Sequence, residues 1–180
     1  MKLKIVKDSN PIMRKKSLPV SLPLSKEDKD TLDAMMDYLK KSQDEDYCKK
    51  HNVRPGIGMA AIQIGILKRM FVVYYEREDG PVQYQLVNPK IIEYSIRKCA
   101  LKDGEGCLSV DKDHPGYAHR YYKIRMEAFD ALTNEDIIIT ARGFDAIVLQ
   151  HEYDHLDGKF FYDHIDTNRP NQMLMNEELI

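Results

Sequence analysis

No stretch of this 180-residue sequence approaches the ~18–20 consecutive apolar residues of a membrane-spanning helix. The first ten residues, MKLKIVKDSN, carry lysines but no apolar core of signal-peptide length, so a cytoplasmic protein with no membrane contact is expected. There is no excess charge of either sign. The formal net charge is −2, which removes the global basic field of a nucleic-acid binder, and no direct nucleic-acid site is evident. Short basic runs such as Met13–Lys16 and Lys49–Lys50 read as solvated surface. Cysteine is scarce. Cys48, Cys99 and Cys107 are an odd number in a chain expected to stay reduced, so a disulfide framework is excluded and a metal or catalytic role for one of them gains weight. Internal repeats and low-complexity segments are missing as well.

What remains is an ordinary globular composition, 43% hydrophobic and 31% charged, of a length suited to one domain over residues 1–180. Pro11, Pro19 and Pro23 keep the first twenty or so residues extended. Ser25 reads as an N-cap with Asp28 three positions on, and Leu32, Met35, Met36 and Leu39 follow at helical spacing, which predicts a helix over 25–42. Residues 43–55 are polar and read as a loop. Strands are predicted at 70–75, 82–87, 90–96, 123–129 and 135–140, with turn signals at Glu78–Pro81 and around Leu132–Asn134. Most joins are too short for crossover helices, so antiparallel pairing is favoured. Thr140 then reads as the cap of a helix carrying Phe144, Ile147, Val148, His151 and His155, ended by Gly158. The fold class is therefore α+β: antiparallel sheets around a C-terminal helix, with an N-terminal helix and a polar tail over 166–180 that is expected to fray.

The chemistry starts in Gln150–His155, QHEYDH. Two histidines at i and i+4 lie on one helix face and can turn imidazole nitrogens toward one ion. Glu152 projects about 100° away, beside the ion rather than on it, where a carboxylate can take a proton from water. The apolar run Ala146–Leu149 before it argues that the helix is buried, and buried histidines and a glutamate need partners. Asp154 and Asp157 read as helix-end surface charge.

Two histidines need a third ligand. A third histidine in the metzincin pattern would fall where Phe161 stands. Glu177 and Glu178, the downstream glutamates, lie in the tail. The stretch Asp103–Ser109 is better: glycines on both sides of Glu105 and before Cys107 leave room, and a thiolate suits zinc or iron(II). Cys48 and Cys99 read as structural thiols. A third stretch, GIGMAAIQIG at 56–65, is a poor dinucleotide fingerprint, because its glycine spacing is wrong and it follows no strand. Its small residues suggest close approach of another backbone, and Gln63 is a neutral amide donor fit for a developing oxyanion.

Together, GIGMAAIQIG (56–65), EGCLS (105–109) and QHEYDHLDG (150–158) resemble the motifs of the peptide deformylase family, in the same order and spacing. Ile62 departs from the proline or threonine of many members. The long loop before Gly56 and the continuation Val110–Tyr117 resemble the longer, Gram-positive-type branch. The resemblance implies hydrolytic release of formate from formyl-Met N-termini of nascent peptides. It implies Cys107, His151 and His155 as ligands of one divalent metal ion, natively Fe2+, with Ni2+, Co2+ or Zn2+ as alternatives. Glu152 would be the general base, Gln63 and the Leu108 N–H the oxyanion donors, and Ile57, Gly58, Tyr117, Ile147 and Val148 the substrate-binding residues. A monomer is expected. Transient ribosome contact is compatible, although the short acidic tail lends it little support. The readings that compete are an HExxH metallopeptidase cleaving internal peptide bonds and an inactive metal-binding module.

Overall fold

The computed structural model describes residues 3–180. Helix α1 runs Lys26–Ser42 and begins as its sequence dictates. The Ser25 side chain accepts the Asp28 N–H and donates its hydroxyl to the Asp28 carboxylate, satisfying helix-end groups that would otherwise go unpaired. Its buried stripe is Leu32, Met35, Met36 and Leu39. The segment 43–55, expected to be a loop, contains a second helix, α2, over Glu45–His51. Asp44 caps it, Glu45 and Asp46 fill its first turn, and Lys49, Lys50 and His51 its last, each charge complementing the helix dipole. That end-charge pattern was the overlooked signal, since no apolar stripe exists to reveal it.

A five-stranded sheet follows the order β1-β2-β3-β6-β7, antiparallel throughout: β1 Gly58–Ala60, β2 Met70–Tyr75, β3 Val82–Tyr94, β6 Lys123–Asp130 and β7 Glu135–Arg142. Two predicted strands, 82–87 and 90–96, prove to be the single strand β3. Asn88 and Pro89 do not end it. Asn88 takes a positive φ of 50° inside a bulge, and its side chain donates to the Val20 carbonyl and accepts the Val20 N–H. Strand β7 runs two residues past its predicted end, so Thr140 is a strand residue opposite Arg125 rather than a helix cap. The chain turns instead at Gly143, with φ 55°, into α3, Phe144–Leu156.

Strand β2 is covered on both sides. Phe71, Val73 and Tyr75 pack with Val148, Leu149 and Leu156 of α3, while Met70 and Val72 pack with Leu32, Met35 and Leu39 of α1. The run MFVVYY is thus continuously apolar because both faces are buried. A second sheet, β5-β4-β8, joins Arg120–Tyr121, Lys98–Ala100 and Glu178–Leu179. The tail therefore does not fray at its end. Strand β8 pairs in parallel with β4, and Glu177 is buried against His119, 2.7 Å away. Its partner lies about eighty residues upstream, beyond the reach of a local reading.

Gln150 locks α3 to β5: its amide oxygen accepts the Tyr121 N–H at 2.9 Å and its nitrogen donates to the Tyr121 carbonyl at 2.8 Å. Gly158 then ends the helix region at φ 70°, pressed on the Arg14 backbone, whose carbonyl carbon a Cβ would approach to 2.6 Å. Gly158→Ala should therefore destabilise the protein by about 2–4 kcal/mol, combining left-handed strain with a backbone clash. Urea unfolding checks this; a loss under about 0.5 kcal/mol, the scatter of neutral surface changes, would refute it.

Candidate metal centre and its cavity

Helix α3 is buried on nearly every side, and its i, i+4 histidines face one point. The His151 and His155 rings lie 4.9 Å apart and meet edge to face. Cys107, on the loop after β4, brings its sulfur 3.3 Å from Nε2 of His155. One ligand atom from each of Cys107, His151 and His155 lies within 4.8 Å of the others. The three side chains are withdrawn from water: Cys107 is 7% exposed, His155 0%, and the His151 side chain 11%. A thiol and two imidazoles converging in a dry pocket is a donor set for a divalent transition metal.

Glu152 is 4% exposed, and its Oε2 has no hydrogen-bond partner. Burial pushes its carboxyl up to about 7. Gly58 is what makes room beside it: a Cβ there would lie 2.7 Å from the Glu152 carboxyl carbon. A Cβ on Gly56 would lie 2.8 Å from a Leu108 methyl. The small residues of 56–58 therefore accommodate two side chains of the site, Leu108 and Glu152. Gln63 stands in a 3-10 turn, Ala61–Ile64. Its oxygen accepts the Ala60 N–H at 2.8 Å, so its NH2 group is left to face Ser109 Oγ at 3.2 Å and Cys107 Sγ at 3.5 Å. Among the described residues the Leu108 N–H donates to no protein acceptor.

These groups open on a cavity of about 290 Å³. Ile57, Gly58, Gln63, Cys107, Leu108, Ile147, Val148, His151 and Glu152 line it; Tyr117 does not. Tyr117 sits in the loop before β5, its N–H bonded to the Pro170 carbonyl, because Gly116 packs that loop against Ile165 and Pro170. His155 is likewise behind the cavity wall and meets it only through its neighbours.

A buried polar network backs His151, and no motif in the sequence marks it, whereas Nδ1 of His155 has no hydrogen-bond partner. Nδ1 of His151 lies 2.7 Å from Glu105. Glu105 takes both Nε and Nη2 of Arg120, at 2.8 and 3.0 Å, and Arg120 also pairs with Asp154, which holds His164 at 2.7 Å. Asp154 is thus no surface charge: its side chain is 14% exposed, and one of its oxygens meets both Arg120 and His164. Asp157 binds Arg69 at 2.7 Å. Burial would raise the Glu105 carboxyl, but Arg120 and His151 outweigh it and hold it at about 2. Asp154 is held at about 2 against burial by His164 and Arg120. Burial drives His155 down to about 3, keeping it neutral, the form in which imidazole donates a lone pair.

The whole arrangement matches known proteins. A family model described as polypeptide deformylase matches residues 2–171. The chain belongs to the peptide deformylase family. Peptide deformylase 2 of Geobacillus stearothermophilus is 46% identical over 94% of this chain and 92% of its own. Peptide deformylase 2 of Bacillus subtilis is 47% identical over 92% and 90%. Both come from Gram-positive bacteria, as the longer loop and motif spacing implied. Among solved structures, a probable peptide deformylase from Synechococcus phage S-SSM7 superposes with a TM-score of 0.74 at 32% identity, covering 91% of this chain and 100% of that one. The class I type b peptide deformylase of Acinetobacter baumannii with bound Met-Ala-Ser gives 0.72 at 29%, covering 92% and 99%.

Glu105 and Asp154 carry a pH signature. Their folded carboxyls titrate at about 2, below the about 4 of an unfolded chain, so their contribution is complete above about pH 4.5 and is lost as pH falls toward 2. Urea midpoints of the metal-free protein should drop across that window. Asp154→Asn should show a shallower drop. Parallel slopes for the two proteins would contradict this account.

Proposed function

We infer that this chain releases formate from N-formylmethionyl N-termini of newly made peptides, and the observation that carries this is the joining of Cys107, rather than a third histidine or glutamate, to the HExxH helix beside a strand edge. Cys107, His151 and His155 would hold one divalent ion, with iron(II) the expected metal and nickel, cobalt or zinc suited to the same donors. When bound, such an ion supplies Lewis acidity, bringing water toward neutral ionisation and polarising a carbonyl.

The chain's own residues supply the rest. Glu152, lifted to about 7 by burial, can take a proton from water near neutral pH and return it to the leaving amine. Gln63, oriented by Ala60, and the Leu108 N–H, which has no protein acceptor among the described residues, would serve as oxyanion donors. Among the described residues strand β1 is a sheet edge paired with β2 alone, so its other side can pair an extended peptide. Ile57, Gly58, Ile147 and Val148 give the adjoining cavity apolar walls that would suit a methionine side chain. Tyr117 is dropped from that role. The bound Met-Ala-Ser of the Acinetobacter relative is what deformylation of a formyl-Met peptide leaves. Such N-termini arise where polypeptides are made, so the activity is assigned to the cytoplasm.

A metallopeptidase reading lacks its ligand. Phe161 stacks on His151 at 6.1 Å where a third histidine would fall, and Glu177 is committed to His119. An inactive module is disfavoured because base, amide donor and all three ligands are present.

Gln63→Ala should keep its metal and lose roughly 10²–10³ in turnover, as removal of one oxyanion donor typically does. Formate release from formyl-Met peptides, beside metal analysis, measures it, and unchanged turnover would take Gln63 out of the chemistry. Glu152→Ala should retain metal yet fall to background; a variant that stays active would reassign the base.

A further inference from the structure

Resting on that reading of the site, we propose that Arg54 selects the charge of the peptide downstream of its formyl-Met residue, favouring acidic side chains about three or four residues in. The cavity has a direction. Gly58, at one end of its wall, touches Glu152, and the wall continues backward through Ile57, Gly56 and Pro55 to Arg54. Four residues of chain span at most about 13 Å. An extended peptide whose first residue meets Glu152 and which runs along this wall brings its third or fourth side chain level with Arg54.

The charge met there is positive. Among the lining residues Glu105 and Glu152 are buried at the deep end, and Glu105 is already paired with Arg120. Arg54 is the exposed charged member of the lining, its side chain 53% accessible. Its Nη1 donates to the Val110 carbonyl at 2.8 Å and reaches Asp111 at 3.4 Å. Asp111 is shared: Lys7 binds the same oxygen at 2.7 Å. Two cations around one carboxylate leave this cluster with a formal net charge of +1, and Arg54 is its member on the cavity lining. The other guanidinium N–H groups of Arg54 have no partner among the described residues, so they are free to meet a carboxylate.

A purely structural role is the rival, since the Arg54–Val110 bond ties the 54–58 wall to the loop carrying Cys107. The two roles separate in one experiment. Formate release by the metal-loaded enzyme is measured on C-terminally amidated formyl-Met-Ala-Glu-Glu, formyl-Met-Ala-Gln-Gln and formyl-Met-Ala-Lys-Lys. The expected order of kcat/KM is Glu over Gln over Lys, with about three- to tenfold between the extremes, carried by KM and shrinking at 0.5 M salt, as partly exposed charge pairs should. Arg54→Gln, which can still donate to Val110, should flatten the series, and Arg54→Glu should reverse it. Asp111→Asn, which unmasks both cations, should steepen it. Equal rates on all three peptides, or an Arg54→Gln loss that is uniform with the ratios intact, would overturn the assignment. Absence of formate from every peptide would instead remove the deformylase reading beneath it.

Discussion

The site rests on taking Glu105 and Arg120 out of water together. A buried ion pair is costly unless its remaining donors and acceptors are met. Here they are: Arg120 gives Nε and Nη2 to Glu105 and Nη1 to Asp154, and the Glu105 oxygen that takes Nη2 also meets Nδ1 of His151. Removing any one member leaves a buried charge without its partner. The same pair fixes the chemistry. With Nδ1 held by Glu105, the His151 ring presents Nε2 toward Cys107 and His155, and its orientation is set before any ligand arrives. The ligand geometry therefore depends on β5, which carries Arg120 and which Gln150 binds back to α3.

This dependence explains why α3 is the place for the site. A helix enclosed by β1, β2 and β7 on one side and β5 on the other cannot roll or shift to satisfy a ligand. Its apolar residues, Ala146 to Leu149, anchor it, so its two histidines and Glu152 are positioned by packing that has nothing to do with catalysis. The cost appears on Glu152, buried without a protein partner. A carboxylate left so is an expense in stability that makes sense when the group's partner is a reactant.

Legibility in the sequence followed distance along the chain. Histidines and a glutamate within five residues of helix could be read directly, and the glycines beside Cys107 pointed to the third ligand. Gln63 was legible as an amide near small residues, though not that Ala60 would orient it. Arg120 was invisible: it lies between Glu105 and Asp154 in sequence, adjoins no motif, and matters only because β5 passes behind α3. Asp154 looked exposed because helix-end acids usually are; only the enclosing strand makes it interior. In the fold, period-two and helical spacing placed α1, β2, β6, β7 and α3, whereas β3 was split in two at its bulge and β8 was missed because its partner is distant. Tyr117 was carried over by resemblance alone, and nothing in its own surroundings supported it.

Charge accounting then narrows what the pocket can hold. Glu105 and Asp154 both pair with Arg120, and Asp154 also meets His164. His155 is kept neutral by burial, whereas His151, against burial, is raised well above the ordinary imidazole value by Cys107 and Glu105, and holding a metal would require it to release that proton. Glu152, lifted to about 7 by burial, is the carboxyl at the centre without a protein partner among the described residues. A divalent cation held by Cys107, His151 and His155 would supply the positive charge that the metal-free site draws from the His151 proton. The soft sulfur and the two nitrogens exclude the hard, oxygen-seeking cations. The residues that set Glu152 beside the Cys107, His151 and His155 cluster thus suit a divalent transition metal better than a hard cation, and the donor set and the unpartnered carboxyl share one pocket.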